Sequence, residues 1–231
     1  MDRMRLRLSS AIMFAGILLS MVSGLLHPDS VPANEHPAVF AEYAASFAWI
    51  GVHLGQFIGM TILTAGLLVL SAGVEAIEGL TFVFNRLGST FFAVALSLYG
   101  VLQAVDGVAL KHAVDALALA SETERAARFA SAETVRWLEW GFRSYHAFAF
   151  GLALMLFAAT LIRSQAVSKP IAALMGATGL SYWVQGWIIG NIGFAPANSL
   201  PSLVGIATIL AWSIWLLIDA WRSGRPLSSG K

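Results

Sequence analysis

Cysteine is absent from this chain of 231 residues. That absence removes disulfides, thiolate metal centres, cysteine-held iron–sulfur clusters and a cysteine nucleophile together. It fixes no compartment, because a helical membrane protein of any origin can do without the residue. Charge is scarce as well. Asp, Glu, Lys and Arg make up 12% of the chain, against about 25% in an average soluble domain. The formal net charge of +1 gives a nucleic acid nothing to hold. Low-complexity sequence is missing apart from a short polar tail, SGRPLSSGK.

What is present is hydrophobic: 58% of the residues, with a mean hydropathy of +0.73. Such a composition places the chain in a bilayer as an all-α polytopic bundle, and its length suits one membrane domain over residues 1–231. A span needs about 20 apolar residues, and six stretches are expected to qualify: 8–26, 45–70, 89–110, 140–162, 171–192 and 203–221. The first follows a basic start, MDRMRLRLSS. Small residues at Val22-Ser23-Gly24 resemble a signal-peptide cleavage site, and we read the segment as an uncleaved span.

The connections are as legible as the spans. HPDSVPANEHP is a proline-rich loop, after which Pro37 suits a first helical turn. From Ala38 to about Ala72 the pattern stays helical. AGVEAIEGLTFVFNRLGS, with Glu75, Glu78 and Arg86, is expected to be a turn region. Between the third and fourth spans, KHAVDALALASETERAARFASAETVRWLEW is rich in helix formers and carries a capping signal from Ser121 to Glu124. An extramembrane helical hairpin is expected there.

Arg3, Arg5, Arg7, Arg86, Arg163, Lys169, Arg222, Arg225 and Lys231 fall on the side of the termini. The positive-inside rule makes that side cytoplasmic, and a bacterial inner membrane is the expected location. Lys111, Arg125, Arg128, Arg136 and Arg143 sit in or beside the long third connection, where the rule is weaker. Gln56 with Gly59, and Gln185 with Gly190, are a faint echo of an inverted repeat.

The stretch ETVRWLEWGFRSYH departs from this apolar background. Arg136, Glu139, Arg143 and His146 recur at helical steps and share one face. The stripe leads straight into AFAFGLALMLFAATLI, and charge within a membrane marks a site by default. A rise of about 1.5 Å per residue puts His53, Gln56, Gln103, Asp106 and Gln185 at similar depth in the outer half, with Arg136 and Glu139 at the outer interface. An outward-opening polar cavity between the second, third, fourth and fifth spans is therefore expected. Its lining would be Arg143, His146, Asp106, Gln103, His53, Gln56, Glu139 and Gln185.

Several chemistries suit such a cavity. Arg143 fits the phosphate or carboxylate of a small or lipid-derived anion, within a belt of Trp49, Trp137, Trp140, Trp183 and Trp187 at the lipid interface. Hydrolysis or transfer would use His146 or His53 as base, oriented by Asp106 or Glu139, although no serine stands in a nucleophile motif. A metal would draw on His53, His146 and one of Asp106 or Glu139, and a b-type haem on His53 and His146 as axial ligands. The structural alternative pairs Asp106 with Arg143, and Glu139 with Arg143 or Arg136, fixing helix register with no ligand. His27 and His36 belong to the first outer loop, where they would cover the cavity mouth, and His36 also suits a helix start beside Pro37. His112 and Asp115, one turn apart, read as a solvated face.

The runs VLQAVDGVALKHAVDA and SAETVRWLEWGFRSYH resemble bacterial six-span membrane proteins of uncharacterised function. The resemblance covers roughly the middle third of the chain, Val101 to His146. It rests on Gln103, Asp106, Gly107, Lys111, Asp115, Arg136, Trp137 and Glu139. It implies a six-helix bundle and no particular reaction.

Overall fold

A computed structural model describes residues 2–74 and 78–222. Glu75, Arg225, Lys231 and the polar tail lie outside the described residues. The elements in order are α1 (Arg3–Leu25), α2 (His36–Ala45), α3 (Trp49–Ala72), α4 (Gly79–Ala104), a π-helical turn (Val105–Leu110), α5 (Lys111–Ala118), α6 (Arg125–Ser164), α7 (Lys169–Ile192), a 3-10 turn (Pro196–Asn198) and α8 (Ser199–Trp221). No strand occurs among the described residues.

Five helical segments are long and apolar enough to cross a membrane: Arg3–Leu25, Trp49–Ala72, the continuous Gly79–Ala118, Arg125–Ser164 and Pro196–Trp221. The sixth expected span, 171–192, forms a helix of 24 residues, α7, but is not among them. It gives up apolar side chains for Gly176, Thr178, Gly179, Ser181, Gln185 and Gly186, which lets its backbone approach its neighbours closely. A Cβ on Gly179 would sit 2.6 Å from the Gly151 carbonyl oxygen of α6.

Three other expectations need correction. The helical pattern from Ala38 to Ala72 breaks at Ser46, whose extended backbone ends α2 before α3 begins at Trp49. Residues 79–89, expected as a turn, are the first turns of α4. Trp49, expected in the lipid-facing belt, is fully buried, because its indole Nε1 donates to the Asp106 carbonyl at 2.9 Å. Trp137, Trp183 and Trp187 are exposed.

Two cores result. The larger lies between the long helices and includes Leu67, Phe92, Phe150, Leu154, Phe157, Met175 and Trp212. The smaller joins α2, α5 and the start of α6 through Val39, Phe40, Tyr43, Trp49, Leu110, Val114 and Ala132. The end of Gly79–Ala118 and the start of α6 form a helical hairpin where one was expected, as continuations of the long helices, with α2 laid over it. The Lys111 ammonium ties the layer together by donating to the Tyr43 and Ala44 carbonyls at the C-terminus of α2, where a cation also meets the helix dipole. The turn between α5 and α6 is closed by Ser121, whose hydroxyl donates to Glu124 at 2.7 Å. That bond holds the Glu124 carboxyl below its ordinary range.

The π-helical turn inside Gly79–Ala118 positions the site. It inserts an extra residue into the helical ladder, a feature frequent at functional sites, and turns Asp106 and Gly107 toward α3. A Cβ on Gly107 would fall 2.5 Å from the His53 Cβ, so this close approach requires glycine.

Gly179→Ala should destabilise the bundle by about 1–3 kcal/mol, because the added methyl meets backbone rather than a movable side chain. Gly141→Ala, where a Cβ meets nothing within 4 Å, should be neutral or stabilising by up to about 1 kcal/mol. Unfolding midpoints in mild detergent check the contrast; equal midpoints would contradict the α6–α7 packing.

Candidate functional site

A cavity of about 530 Å³ opens between α1, α3, α4, α6, α7 and α8 beneath the 26–35 loop. Of the eight expected lining residues, seven face it: His53, Gln56, Gln103, Asp106, Glu139, Arg143 and Gln185. The wall is wider than the four expected spans, since Ile17 of α1 and Ile206 and Ile209 of α8 also contribute. Toward the loops the lining is polar, with His27, Asp29, His53, Asp106, Arg136 and Glu139. Toward the middle of the bundle it is apolar, with Ile17, Met60, Leu63 and Ile209.

His146 is not part of it. Its Nδ1 donates to the Ala95 carbonyl of α4 at 3.0 Å, and its ring stacks on Phe150 and tilts against Tyr99. At this level α4 closes on α6 and fills the space the stripe would otherwise present. His53 and His146 therefore do not flank one slot as two axial haem ligands would.

Arg136 and Glu139 are not at an open interface either. Both are buried, at 3% and 2% exposure, and they pair with each other. The 26–35 loop and the segment after α7 cover them. Arg136 Nη2 donates to the Ala33 carbonyl at 3.2 Å, and the guanidinium lies between the rings of Tyr43 and Phe194, at 5.4 and 5.1 Å. Burial pushes the Tyr43 phenol far above its ordinary range, so it stays neutral beside this pair.

The pairing differs from the structural alternative at its key member. Asp106 does not pair with Arg143. Its Oδ2 lies 3.0 Å from His53 Nε2, and His53 Nδ1 donates to the Trp49 carbonyl at 2.8 Å. Arg143 is half-buried over the Tyr182 ring, 5.9 Å from its centre. Among the described residues no carboxylate comes within 4.0 Å of it.

Several buried polar atoms on this wall lack a protein hydrogen-bond partner: His53 Nε2, Asp106 Oδ1, Gln103 Oε1 and Arg136 Nε. Each such group costs about 1–3 kcal/mol when left unmade, so the wall carries hydrogen-bonding capacity that the fold does not use. The amides are partly engaged. Gln103 Nε2 donates to Gln56 at 3.3 Å, and Gln185 Nε2 donates to Ser181 at 3.1 Å.

The loop histidines separate. His27 lines the cavity, with Nδ1 3.0 Å from Asp29 Oδ1. His36 opens α2 and bonds Glu133 of α6 at 2.9 Å. His112 is exposed, and its neighbour Lys111 pairs with Asp115. Of the four metal candidates, His53 and Asp106 are brought together; His146 and Glu139 are engaged elsewhere. His27 joins them, and the ligand atoms of His27, His53 and Asp106 all lie within 4.8 Å of one another. Tyr99 and Tyr182 also line the cavity, and neither was expected from the sequence. Their signal was the helical step: Tyr99 precedes Gln103 by four residues, and Tyr182 precedes Gln185 by three.

No protein-family model matches this chain, and neither does any curated protein or solved structure.

Arg136→Met should cost about 3–5 kcal/mol, because Glu139 is left buried and uncompensated. The double variant Arg136→Met with Glu139→Leu should recover much of that loss. Unfolding in detergent by a double-mutant cycle reads the coupling; additive losses would mean that the two side chains do not act as a pair.

Proposed function

We propose that this is a multi-pass membrane protein that binds a small or lipid-derived anionic ligand in this cavity. The observation carrying the proposal is Arg143, a cation on the cavity wall with no carboxylate partner among the described residues. The other arginine on the wall is neutralised by Glu139. The remaining acids do not compete for the position, since Asp106 faces His53 and Asp29 projects outward at the mouth. A polar end and an apolar end in one cavity suit an amphiphile whose headgroup is held by Arg143 and whose tail meets Ile17, Leu63 and Ile209.

A purely structural role for the buried charges would have them satisfy one another. The unpartnered atoms on the wall and the lone Arg143 favour the binding role instead. Should the ligand also be processed, His53 oriented by Asp106 is the base available to it, with His146 withdrawn behind Tyr99. The membrane is taken to be a bacterial inner membrane with both termini cytoplasmic, as the distribution of Arg and Lys argues.

Thermal unfolding in mild detergent tests this with two probes, dihexanoyl phosphatidic acid and inorganic phosphate. A ligand at 100 times its Kd adds about 2.7 kcal/mol to stability, enough to raise the midpoint by several degrees. The lipid should do so for the wild type and not for Arg143→Gln, whose unliganded midpoint should be unchanged. An equal response to inorganic phosphate would identify the headgroup alone as the ligand. A wild type indifferent to both probes, or an Arg143→Gln variant that responds like the wild type, would overturn the reading.

A further inference from the structure

We propose that His27, His53 and Asp106 form the ligand set of a divalent transition-metal ion at the outer end of the cavity. The proposal is independent of Arg143 and stands whether or not an anion binds.

The three residues come from three separate segments: the loop after α1, the second turn of α3, and the π-helical turn. Nothing in local sequence brings them together, yet their ligand atoms lie within 4.8 Å of one another. Metal–ligand bonds of about 2.0–2.2 Å put neighbouring ligand atoms about 3–3.5 Å apart. His53 Nε2 and Asp106 Oδ2 already meet that spacing at 3.0 Å. At that separation the two atoms can share either a proton or a metal ion between them. His27 has only about an ångström to close.

The outer contacts match those of metal-bound histidines, which donate their second ring nitrogen to a carboxylate or carbonyl. His27 Nδ1 meets Asp29 Oδ1 at 3.0 Å, and His53 Nδ1 meets the Trp49 carbonyl at 2.8 Å. Both partners direct the proton to Nδ1 and leave Nε2 for a ligand role. Asp106 supplies the negative charge. It is 9% exposed, and its Oδ1 has no partner in the protein.

The backbone around Asp106 points the same way. A π-helical turn is an uncommon device. Here it directs the Asp106 carboxylate at His53 while its carbonyl is held by Trp49. Gly107 permits the contact, because any Cβ there would collide with His53. Two imidazoles and one carboxylate suit zinc or ferrous iron. Three protein ligands leave a coordination position open, and all three line the cavity, so that position faces the ligand space. A bound ion would add two positive charges to a wall that carries three carboxylates, Asp29, Asp106 and Glu139, and two arginines, Arg136 and Arg143.

The test uses the full-length protein in mild detergent, stripped with chelator and titrated with Co2+ alone, no anionic lipid being present. Visible absorption reports Co2+ binding, and displacement by Zn2+ reports competition for the same site. The wild type should bind one equivalent, and His53→Gln and Asp106→Asn should abolish binding. His27→Ala is the decisive variant, because it lies in the loop after α1 and should lose saturable binding, while its unfolding midpoint checks that the fold survives loss of the ring packed on Tyr43 and Trp49. Asp29→Asn should weaken binding about 10–100-fold through the outer contact. His36→Ala, whose histidine bonds Glu133, should bind like the wild type. Elemental analysis of the protein as isolated distinguishes zinc from iron. Absence of saturable Co2+ binding in the wild type, or binding retained in His27→Ala, would overturn the proposal. Because Arg143 and anionic lipid play no part in the titration, such a failure would leave the anion-binding reading to its own test.

Discussion

The contact on which the site depends is the one between the first turns of α3 and the π-helical turn of the segment Gly79–Ala118. Trp49 donates its indole proton to the Asp106 carbonyl, and four residues later His53 meets the Asp106 carboxylate. The indole of Trp49 holds that carbonyl from outside the helix, and a fully buried aromatic side chain becomes a structural pin. The same contact orders the outer layer, because Trp49 packs on Tyr43 with ring centres 4.0 Å apart, and α2 then covers α5 and the start of α6.

Electrostatics is set by that geometry. Few charges are buried, and most are neutralised locally. Arg136 and Glu139 pair within one turn of α6, and Lys111 meets Asp115 and the end of α2. Among the described residues, Arg143 has no carboxylate partner, and the His53–Asp106 pair keeps an unpartnered oxygen and nitrogen. They lie on different elements and invite opposite ligands, an anion at Arg143 and a cation at Asp106. The amphiphilic anion proposed above would meet an apolar floor and both of these positions in one cavity.

Much of the cavity was legible because a helix converts spacing into direction. Gln103 and Asp106 share a face of one helix, His53 and Gln56 of another, and Arg136, Glu139 and Arg143 of a third, and all of these line the cavity. His146 belonged to the same stripe by spacing and does not, because α4 lies against α6 at that level and the Ala95 carbonyl takes its Nδ1. Spacing within α6 carries no information about where α4 sits. His27 was expected over the cavity mouth and does line the cavity, but its place beside His53 could not be read from spacing. It comes after α1 in a proline-rich loop with no periodicity to read, and only the fold of that loop brings it to His53, with ring centres 5.3 Å apart.

The amino-acid sequence by itself determined an all-helical chain with several segments apolar enough for a bilayer, a break near Ser121, though the cap of α6 falls at Glu124 without a side-chain bond, and helix faces that carry the polar residues. Those features rest on local quantities: hydropathy over about 20 residues and the 3.6-residue period. Tertiary structure decided the partners. One extra residue in a π-helical turn rotates the downstream helix by about 100°, and no composition at Val105–Leu110 announces it. Asp106 sits within that turn and meets His53 across the close approach that Gly107 permits, while Arg143, on α6, faces the cavity without a carboxylate beside it among the described residues.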